Sequence, residues 1–177
     1  MKNKKKALAL SLAILILLLL SILYFKGYKK IQSIHDKNSA IALLQDFQFM
    51  KMDESTALLS TFIHQKTLLI IYFSSDCPYC EQSFRKIKEH ESQFKKLDII
   101  ALSRQSLHQI YTFKEEIGFN ESEFIHFLQD YEQSFYDTFL IQTIPAYFLY
   151  DKDGKLIKEY HGSKSMKEIM EWINTEL

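Results

Sequence analysis

A continuous apolar stretch that leads into two cysteines is the feature that most restricts the fold of this chain. The run Thr67–Phe73 is rich in β-branched and aromatic residues and has no charge, which is typical of a strand buried on both faces of a sheet. Residues 74–76 (Ser-Ser-Asp) then break the strand and supply side chains that can cap a helix. The sequence therefore predicts a buried strand, a turn and an amphipathic helix that begins near Cys77.

Cys77 and Cys80 are the only two cysteines of the chain, and two thiols at this spacing beside a strand and a helix can act as a reversible redox couple. The unpaired N–H groups of a helix N-terminus favour a thiolate, so we expect Cys77 to attack substrates. Cys80 lies one turn further on, and we expect it to be shielded and to resolve the mixed disulfide. Zinc is the alternative, but the scattered histidines offer no further ligands at suitable spacing. We therefore expect no metal and no organic cofactor.

The N-terminal part has the composition of a membrane anchor. Residues 1–6 are basic and residues 7–25 have no charged residue, which is long enough for a helix to cross the ~30 Å core of a bilayer. The end of this stretch lacks a small-residue cleavage site. We predict a cytoplasmic basic tail (1–6), a transmembrane signal anchor (7–25), a linker (26–40) and a globular domain (41–177), with a cleaved signal peptide as the alternative. A narrow excess of lysines before the span favours translocation of the domain.

The charge distribution excludes one class of partner. All 22 acidic residues but only 15 of the 22 basic ones follow position 30, so the part of the chain outside the predicted anchor carries a net charge of −7. An acidic domain without a basic patch argues against nucleic-acid binding. The lack of spare cysteines agrees with an oxidising, extracytoplasmic compartment.

The remaining pattern predicts alternating strands and helices. Phe47 and Phe49 alternate within a possible edge strand at 43–52, and 57–64 has a helical pattern after the capping residues 53–55. A second buried strand at 97–103 and a helix at 106–117 ended by Gly118 imply a right-handed crossover between parallel strands.

The final third predicts a strand, a hairpin and a closing helix. Residues 124–128 favour a third strand leading into a short helix at 131–139, with one continuous helix as the alternative. Residues 146–150 and 155–161 are predicted to pair around the turn 151–154. The closing helix places four apolar residues on one face: Met166, Ile169, Met170 and Ile173.

Three motifs resemble the thioredoxin superfamily, and in particular its membrane-anchored, extracytoplasmic bacterial members, which include reductases serving cytochrome c maturation. They lie at 73–80 (FSSDCPYC), 143–146 (TIPA) and 148–156 (FLYDKDGKL), and the likeness covers residues 41–177. The resemblance implies an α/β, thioredoxin-like fold, with a central mixed sheet flanked by helices and preceded by one transmembrane helix. It also implies a cis Pro145 beside the cysteines. Substrate would then be contacted by Ile144, Pro145, Pro78 and Tyr79.

The chain departs from this pattern around the cysteines. Ile71 stands where thioredoxins have a buried Asp, Asp76 stands where they have a Trp, and Ala146 replaces the common Thr after the cis-proline. The proton acceptor for Cys80 is therefore left open between Asp76, Glu81 and water. Two other relatives are weaker alternatives. The Pro-Tyr pair between the cysteines occurs in glutaredoxins. Ser74 matches the hydroxyl residue of peroxidase-like redoxins, but Ile70 stands where they have a proline.

Together these features predict a membrane-anchored thiol-disulfide oxidoreductase on the periplasmic side of a bacterial cytoplasmic membrane. We expect a monomer that exchanges disulfides with protein substrates and with a redox partner protein. The alternative is a non-catalytic redoxin-fold protein that binds a partner at the membrane surface. The sequence leaves the direction of electron flow open.

Overall fold

The computed structural model describes Ser21, Tyr24 and residues 46–62, 66–120 and 124–176. Ile41–Leu177 forms one compact unit, which contains the sheet and the cysteines. No helix within the described residues is long and apolar enough to cross a membrane. The predicted tail, anchor (apart from Ser21 and Tyr24) and linker lie outside the described residues.

A mixed sheet forms the centre of the unit. In chain order, the strands of the described part are β1 Gln48–Met50, β2 Thr56–Leu58, β3 Leu68–Tyr72, β4 Asp98–Ser103, β5 Ile125–Gln129, β6 Ala146–Tyr150 and β7 Leu156–His161. They lie side by side in the order β2-β1-β5-β4-β3-β6-β7. β4 pairs in parallel with both β3 and β5, and the other neighbouring strands are antiparallel. The predicted parallel pair and the mixed sheet are therefore confirmed.

Helices connect and flank these strands. Within the described residues they are α1 Pro78–Glu89, α2 Glu91–Phe94, α3 Leu107–Ile117, α4 Ser134–Thr138 and α5 Met166–Glu176. α3 begins with a capping box, in which Ser106 Oγ accepts the N–H of Gln109 and the Gln109 side chain accepts the N–H of Ser106. Gly118 ends the helix at φ 87°, as its left-handed cap. The predicted helix at 106–117 and its end at Gly118 are confirmed.

The two faces of the sheet carry two separate apolar clusters. On β3, Leu69 and Ile71 pack with α1 in one cluster, which also contains Cys80. Leu68, Ile70 and Tyr72 belong to the other cluster, on the opposite face, because neighbouring residues of a strand alternate between faces. The cysteine face of the sheet is thus distinct from the face that carries Tyr72.

Phe135 of α4 lies at the centre of the cluster on the opposite face. Its ring centroid is 4.3 to 6.2 Å from those of five other aromatic residues, Phe47, Phe49, Tyr72, Phe139 and Phe148. Phe135 itself is fully buried. Stacked and edge-to-face contacts of this kind add to the burial of each ring.

Two predictions near the start of the unit are wrong. The predicted helix at 57–64 contains the end of β2 and a 3-10 helix at Leu59–Phe62. β1 is not an edge strand, since β2 pairs along its outer side. The reason is the turn between them: Lys51 N–H donates to the carbonyl of Ser55 at 2.8 Å and Asp53 accepts the Ser55 N–H at 3.0 Å. The capping residues therefore close a hairpin and do not start a helix.

The strands, the hairpin and the closing helix predicted for the final third are confirmed, whereas the side chain of Met166 lies outside what the structure describes. β5 is followed by a separate short helix, α4, so the alternative of one continuous helix is wrong. The break falls at Gln133, which has a left-handed backbone (φ 57°). β6 and β7 pair as an antiparallel hairpin, and Ile169 and Ile173 of α5 are buried against the cysteine face.

Candidate active site

Cys77 is the N-cap residue of α1. Its backbone is extended (φ −99°, ψ 108°), and Pro78 follows at the first helical position, where a missing N–H leaves no hydrogen bond unmade. The Cys77 sulfur accepts the backbone N–H of Cys80 at 3.2 Å. The prediction that residues 74–76 cap this helix is wrong, because the residue directly before the first helical position is the cysteine itself. The Cys77 sulfur therefore accepts the N–H that a Ser or Asp side chain accepts at other helix N-termini.

Cys80 lies one turn into α1 and is fully buried. It packs in the same cluster as Phe73 and Phe84, whereas Cys77 is only half-buried. Burial, and secondly the hydrogen bond with Cys77, raise the pKa of the Cys80 thiol far above its usual range. Both cysteines are free thiols in this structure. The Cys77 side chain is therefore partly accessible at the surface, whereas the Cys80 side chain is enclosed in the core.

The loop before β6 brings Pro145 beside Cys77. The Ile144–Pro145 peptide is cis, as the resemblance implied. The Cys77 thiol donates to the carbonyl of Ile144 at a sulfur–oxygen distance of 3.9 Å. This loop is held in place because Ala146 pairs with Tyr72 at the end of β3. The carbonyl of Pro145 also accepts the N–H of Gly162 at 2.8 Å.

Gln105, in the loop after β4, forms hydrogen bonds with the loop before the cysteines. Its side-chain oxygen accepts the N–H of Ser75 at 2.6 Å, and its amide nitrogen donates to Asp76 at 3.2 Å. Asp76 is exposed. Gln105 lies far from the cysteines in sequence and belongs to no motif, so only the folded arrangement reveals this role.

A pocket of about 170 Å³ lies between the loops that follow β3 and β4 and the loop before β6. Its lining includes Ser74 and Ile144, whose carbonyls accept the N–H and the thiol of Cys77, and also Arg104 and Tyr136. The Arg104 guanidinium lies 4.6 Å from the centre of the Tyr136 ring. A pocket with both polar and aromatic side chains is thus lined by two residues that contact Cys77.

The candidate proton acceptors from the sequence have other partners. Glu81 is half-buried and forms an ion pair with Arg85 at 2.8 Å, and Asp76 is bonded to Gln105. A buried carboxylate, Asp130, was missed by the sequence reasoning. It accepts the hydroxyl of Tyr72 at 3.1 Å, and burial raises the pKa of this carboxyl.

A second pair missed by the sequence reasoning is Ser83 and Tyr147, both buried in the described domain. Their side-chain oxygens lie 2.8 Å apart. Ser83 belongs to α1 and Tyr147 to β6, on the face of the sheet that carries Cys80. Neither residue belongs to a local motif, since 64 positions separate them in the chain.

Comparison with known proteins gives a family and a fold. Residues 39–171 match the family model described as Redoxin. No curated protein matches the sequence. A secreted disulfide oxidoreductase of Mycobacterium tuberculosis, homologous to DsbE of E. coli, is 13% identical with a TM-score of 0.62, over 73% of this chain and 96% of that one.

Two further solved structures are similar. Peroxidoxin BcpB of M. tuberculosis is 13% identical with a TM-score of 0.64, over 75% of this chain and 94% of that one. The exposed lipoprotein thioredoxin of Streptococcus pneumoniae is 20% identical with a TM-score of 0.56, over 74% of this chain and 99% of that one. At these identities the likeness shows a shared thioredoxin-like fold.

Proposed function

Because the chain belongs to the Redoxin family of thioredoxin-like thiol-disulfide oxidoreductases, we propose that it exchanges disulfides with extracytoplasmic protein substrates through Cys77 and Cys80. The observation that carries the proposal is the asymmetry of the two sulfurs. Cys77 is half-buried at the N-terminus of α1 and accepts a backbone N–H at 3.2 Å, whereas Cys80 is fully buried behind it. An N–H donor aimed at sulfur stabilises a thiolate.

The reaction proceeds in two exchange steps. The Cys77 thiolate attacks one sulfur of a substrate disulfide, and the other substrate sulfur leaves as a thiolate and takes up a proton. Cys80 then loses its proton and attacks the Cys77 sulfur, which releases the second substrate sulfur. The substrate is reduced by two electrons and the Cys77–Cys80 pair is oxidised. A redox partner protein returns the pair to the dithiol, and the reverse sequence oxidises a substrate dithiol.

The substrate segment is proposed to lie along Ile144 and Pro145. Support comes from the contact between Cys77 and the carbonyl of Ile144, which places backbone hydrogen-bonding groups beside the reacting sulfur. Pro78 and Tyr79 directly follow Cys77 and are exposed, and Tyr79 is 61% exposed. A large aromatic side chain that is exposed next to a thiol can cover an approaching peptide.

Replacement of the resolving cysteine, which should trap the mixed disulfide, tests this function. In cells that express the full chain, Cys80→Ser should accumulate mixed disulfides with proteins, because Cys77 can attack but nothing resolves the adduct. Non-reducing electrophoresis, followed by identification of the captured proteins, measures this. The matched control is the double variant Cys77→Ser/Cys80→Ser, which should capture none. A Cys80→Ser protein without adducts would favour the alternative of a non-catalytic partner-binding protein.

We propose that residues 7–25 anchor the domain to the outer side of a bacterial cytoplasmic membrane. The support is the uncharged stretch itself and the basic residues before it. The full chain expressed in bacteria should sediment with membranes and resist alkaline carbonate, and a membrane-impermeant maleimide should label Cys77 in intact cells.

The matched control for the anchor is Leu17→Arg/Leu18→Arg in the full chain, since each Arg at the centre of a span costs about 2.5–3.5 kcal/mol on insertion scales. This variant should be lost from the membrane fraction. Labelling of the wild type only after cell lysis would contradict the proposed orientation.

A further inference from the structure

The pocket of about 170 Å³ that Ile144 helps to line, here called the Arg104 pocket, has a basic character. Of the described residues that line it, Arg104 alone is charged and none is acidic. The part of the chain after position 30, in contrast, is acidic as a whole. A pocket with a cation and no carboxylate of its own can therefore attract a negative group to this surface.

The guanidinium of Arg104 has no carboxylate partner within the described residues. Its contact there is the ring of Tyr136, at 4.6 Å from the ring centre, and it forms no ion pair or hydrogen bond with them. Arg85, the only other arginine of the chain, places Nε and Nη2 each 2.8 Å from a carboxylate oxygen of Glu81. Because stacking uses the flat face of a guanidinium, the N–H groups at the edge of Arg104 stay available for a carboxylate.

The Tyr136 ring on which this guanidinium stacks is held by buried groups. The N–H of Tyr136 donates to Asp130 Oδ2 at 2.9 Å, and the hydroxyl of Tyr72 donates to the same oxygen at 3.1 Å. Asp130 is fully buried, and the rings of Tyr72 and Tyr136 lie 5.8 Å apart. A donor that rests on a fixed ring loses less conformational freedom when it binds a ligand.

The Arg104 pocket shares two residues with the surroundings of Cys77. The carbonyl of Ser74 accepts the N–H of Cys77 at 3.2 Å, and that of Ile144 accepts its thiol at 3.9 Å. A substrate segment along Ile144 would therefore pass the pocket. The side chains of Ser74 and Gln142 also line it, and neither has a hydrogen-bond partner among the described residues. The volume is below the roughly 300–1,000 Å³ of small-molecule sites, so it suits a single side chain.

We propose that the Arg104 pocket binds an Asp or Glu side chain of the substrate protein, close in sequence to the reactive cysteine of that substrate. This inference names a substrate class for the proposed function and rests on it. The substrate carboxylate accepts hydrogen bonds from the guanidinium of Arg104, and Ser74 and Gln142 supply further donors. An extended segment advances ~3.3 Å per residue, so we expect the acidic residue within about three positions of the cysteine. Arg104 selects the substrate and takes no part in the exchange of sulfurs.

Peptide mixed disulfides test this selection. Each peptide has an amidated C-terminus and a single cysteine joined to an aromatic thiol. Glu stands at one of the three positions before or after the cysteine, and a second peptide has Gln at that place. Attack of Cys77 on the peptide sulfur releases the coloured aromatic thiolate, so initial rates with the reduced full chain give kcat/KM. At least one Glu peptide should react about fivefold faster than its Gln counterpart, the upper range for an exposed ion pair. High salt should reduce this ratio.

Arg104→Gln should bring the ratio to about one. Arg104 is exposed, so its replacement should not prevent folding. Arg85→Gln is the matched control, because it removes the same charge from the other arginine, and it should keep the preference for Glu. Equal rates for every Glu and Gln pair with the wild type would overturn the proposal. A preference that survives Arg104→Gln, or one that Arg85→Gln also removes, would overturn it as well. A wild type that releases no aromatic thiolate from any peptide would instead refute the proposed function.

Discussion

Cys77→Ser should abolish disulfide exchange, with a loss of roughly 10³-fold or more, the scale found when a covalent nucleophile is removed. The serine hydroxyl stays protonated at neutral pH, whereas disulfide exchange requires a thiolate. The N-cap hydrogen bond from the Cys80 N–H would survive, because serine is a good cap residue. The helix should therefore remain intact while the chemistry is lost. Initial rates of reduction of a model protein disulfide measure the effect.

Cys80→Ser provides the matched control within the same motif. It should release one thiolate per protein from an aromatic disulfide, because Cys77 can still attack, and then stop. Cys77→Ser should release none, since the remaining thiol is fully buried and burial raises its pKa. Exchange by Cys77→Ser at a rate near that of the wild type would show that Cys77 is not the nucleophile.

Phe135→Ala should lower the free energy of unfolding by about 3–5 kcal/mol, the usual cost of emptying a buried aromatic site. Phe135 is fully buried and its ring contacts five others, from β1, β3 and β6, the residue before β1, and the end of its own helix. Its loss leaves a cavity that these rigid rings fill poorly. Urea unfolding followed by tryptophan fluorescence measures the difference.

Tyr111→Ala is the control for this prediction. Tyr111 is an aromatic residue of α3 that is 50% exposed, so its truncation should change the unfolding free energy by no more than about 0.5 kcal/mol. A loss below about 1 kcal/mol for Phe135→Ala would mean that the cavity collapses and that the aromatic cluster is not the main stabilising contact of its face.

The parts of the fold that rest on local patterns could be predicted. The apolar run of β3 and the capping signals of α3 are contained in short stretches of sequence. The β6–β7 hairpin is also contained in a short stretch, because the turn residues 151–154 predict it. The hairpin β1–β2 could not be predicted in the same way. Thr56–Leu58 is only one short strand with no apolar alternation, and its pairing with β1 is decided by the turn at Asp53.

The residues of the candidate site also fall into two groups: those that belong to local motifs and those that only the fold brings together. Cys77, Cys80 and Pro145 belong to motifs that the sequence displays, and the structure places Pro145 beside Cys77 through the contact with Ile144. Gln105 and Tyr147 make hydrogen bonds with partners that are 29 to 64 residues away. Such pairings depend on strand register, and a single sequence does not reveal strand register.

The separation of Cys80 and Phe135 onto opposite layers has a practical consequence for engineering. The layer around Phe135 does not contain Cys80, so we expect substitutions there to change heat tolerance more than reduction potential. Ile144 is the exception, because it packs against both layers and its carbonyl accepts the thiol of Cys77. Variants with a chosen potential could thus be combined with variants of chosen robustness, each set optimised on its own.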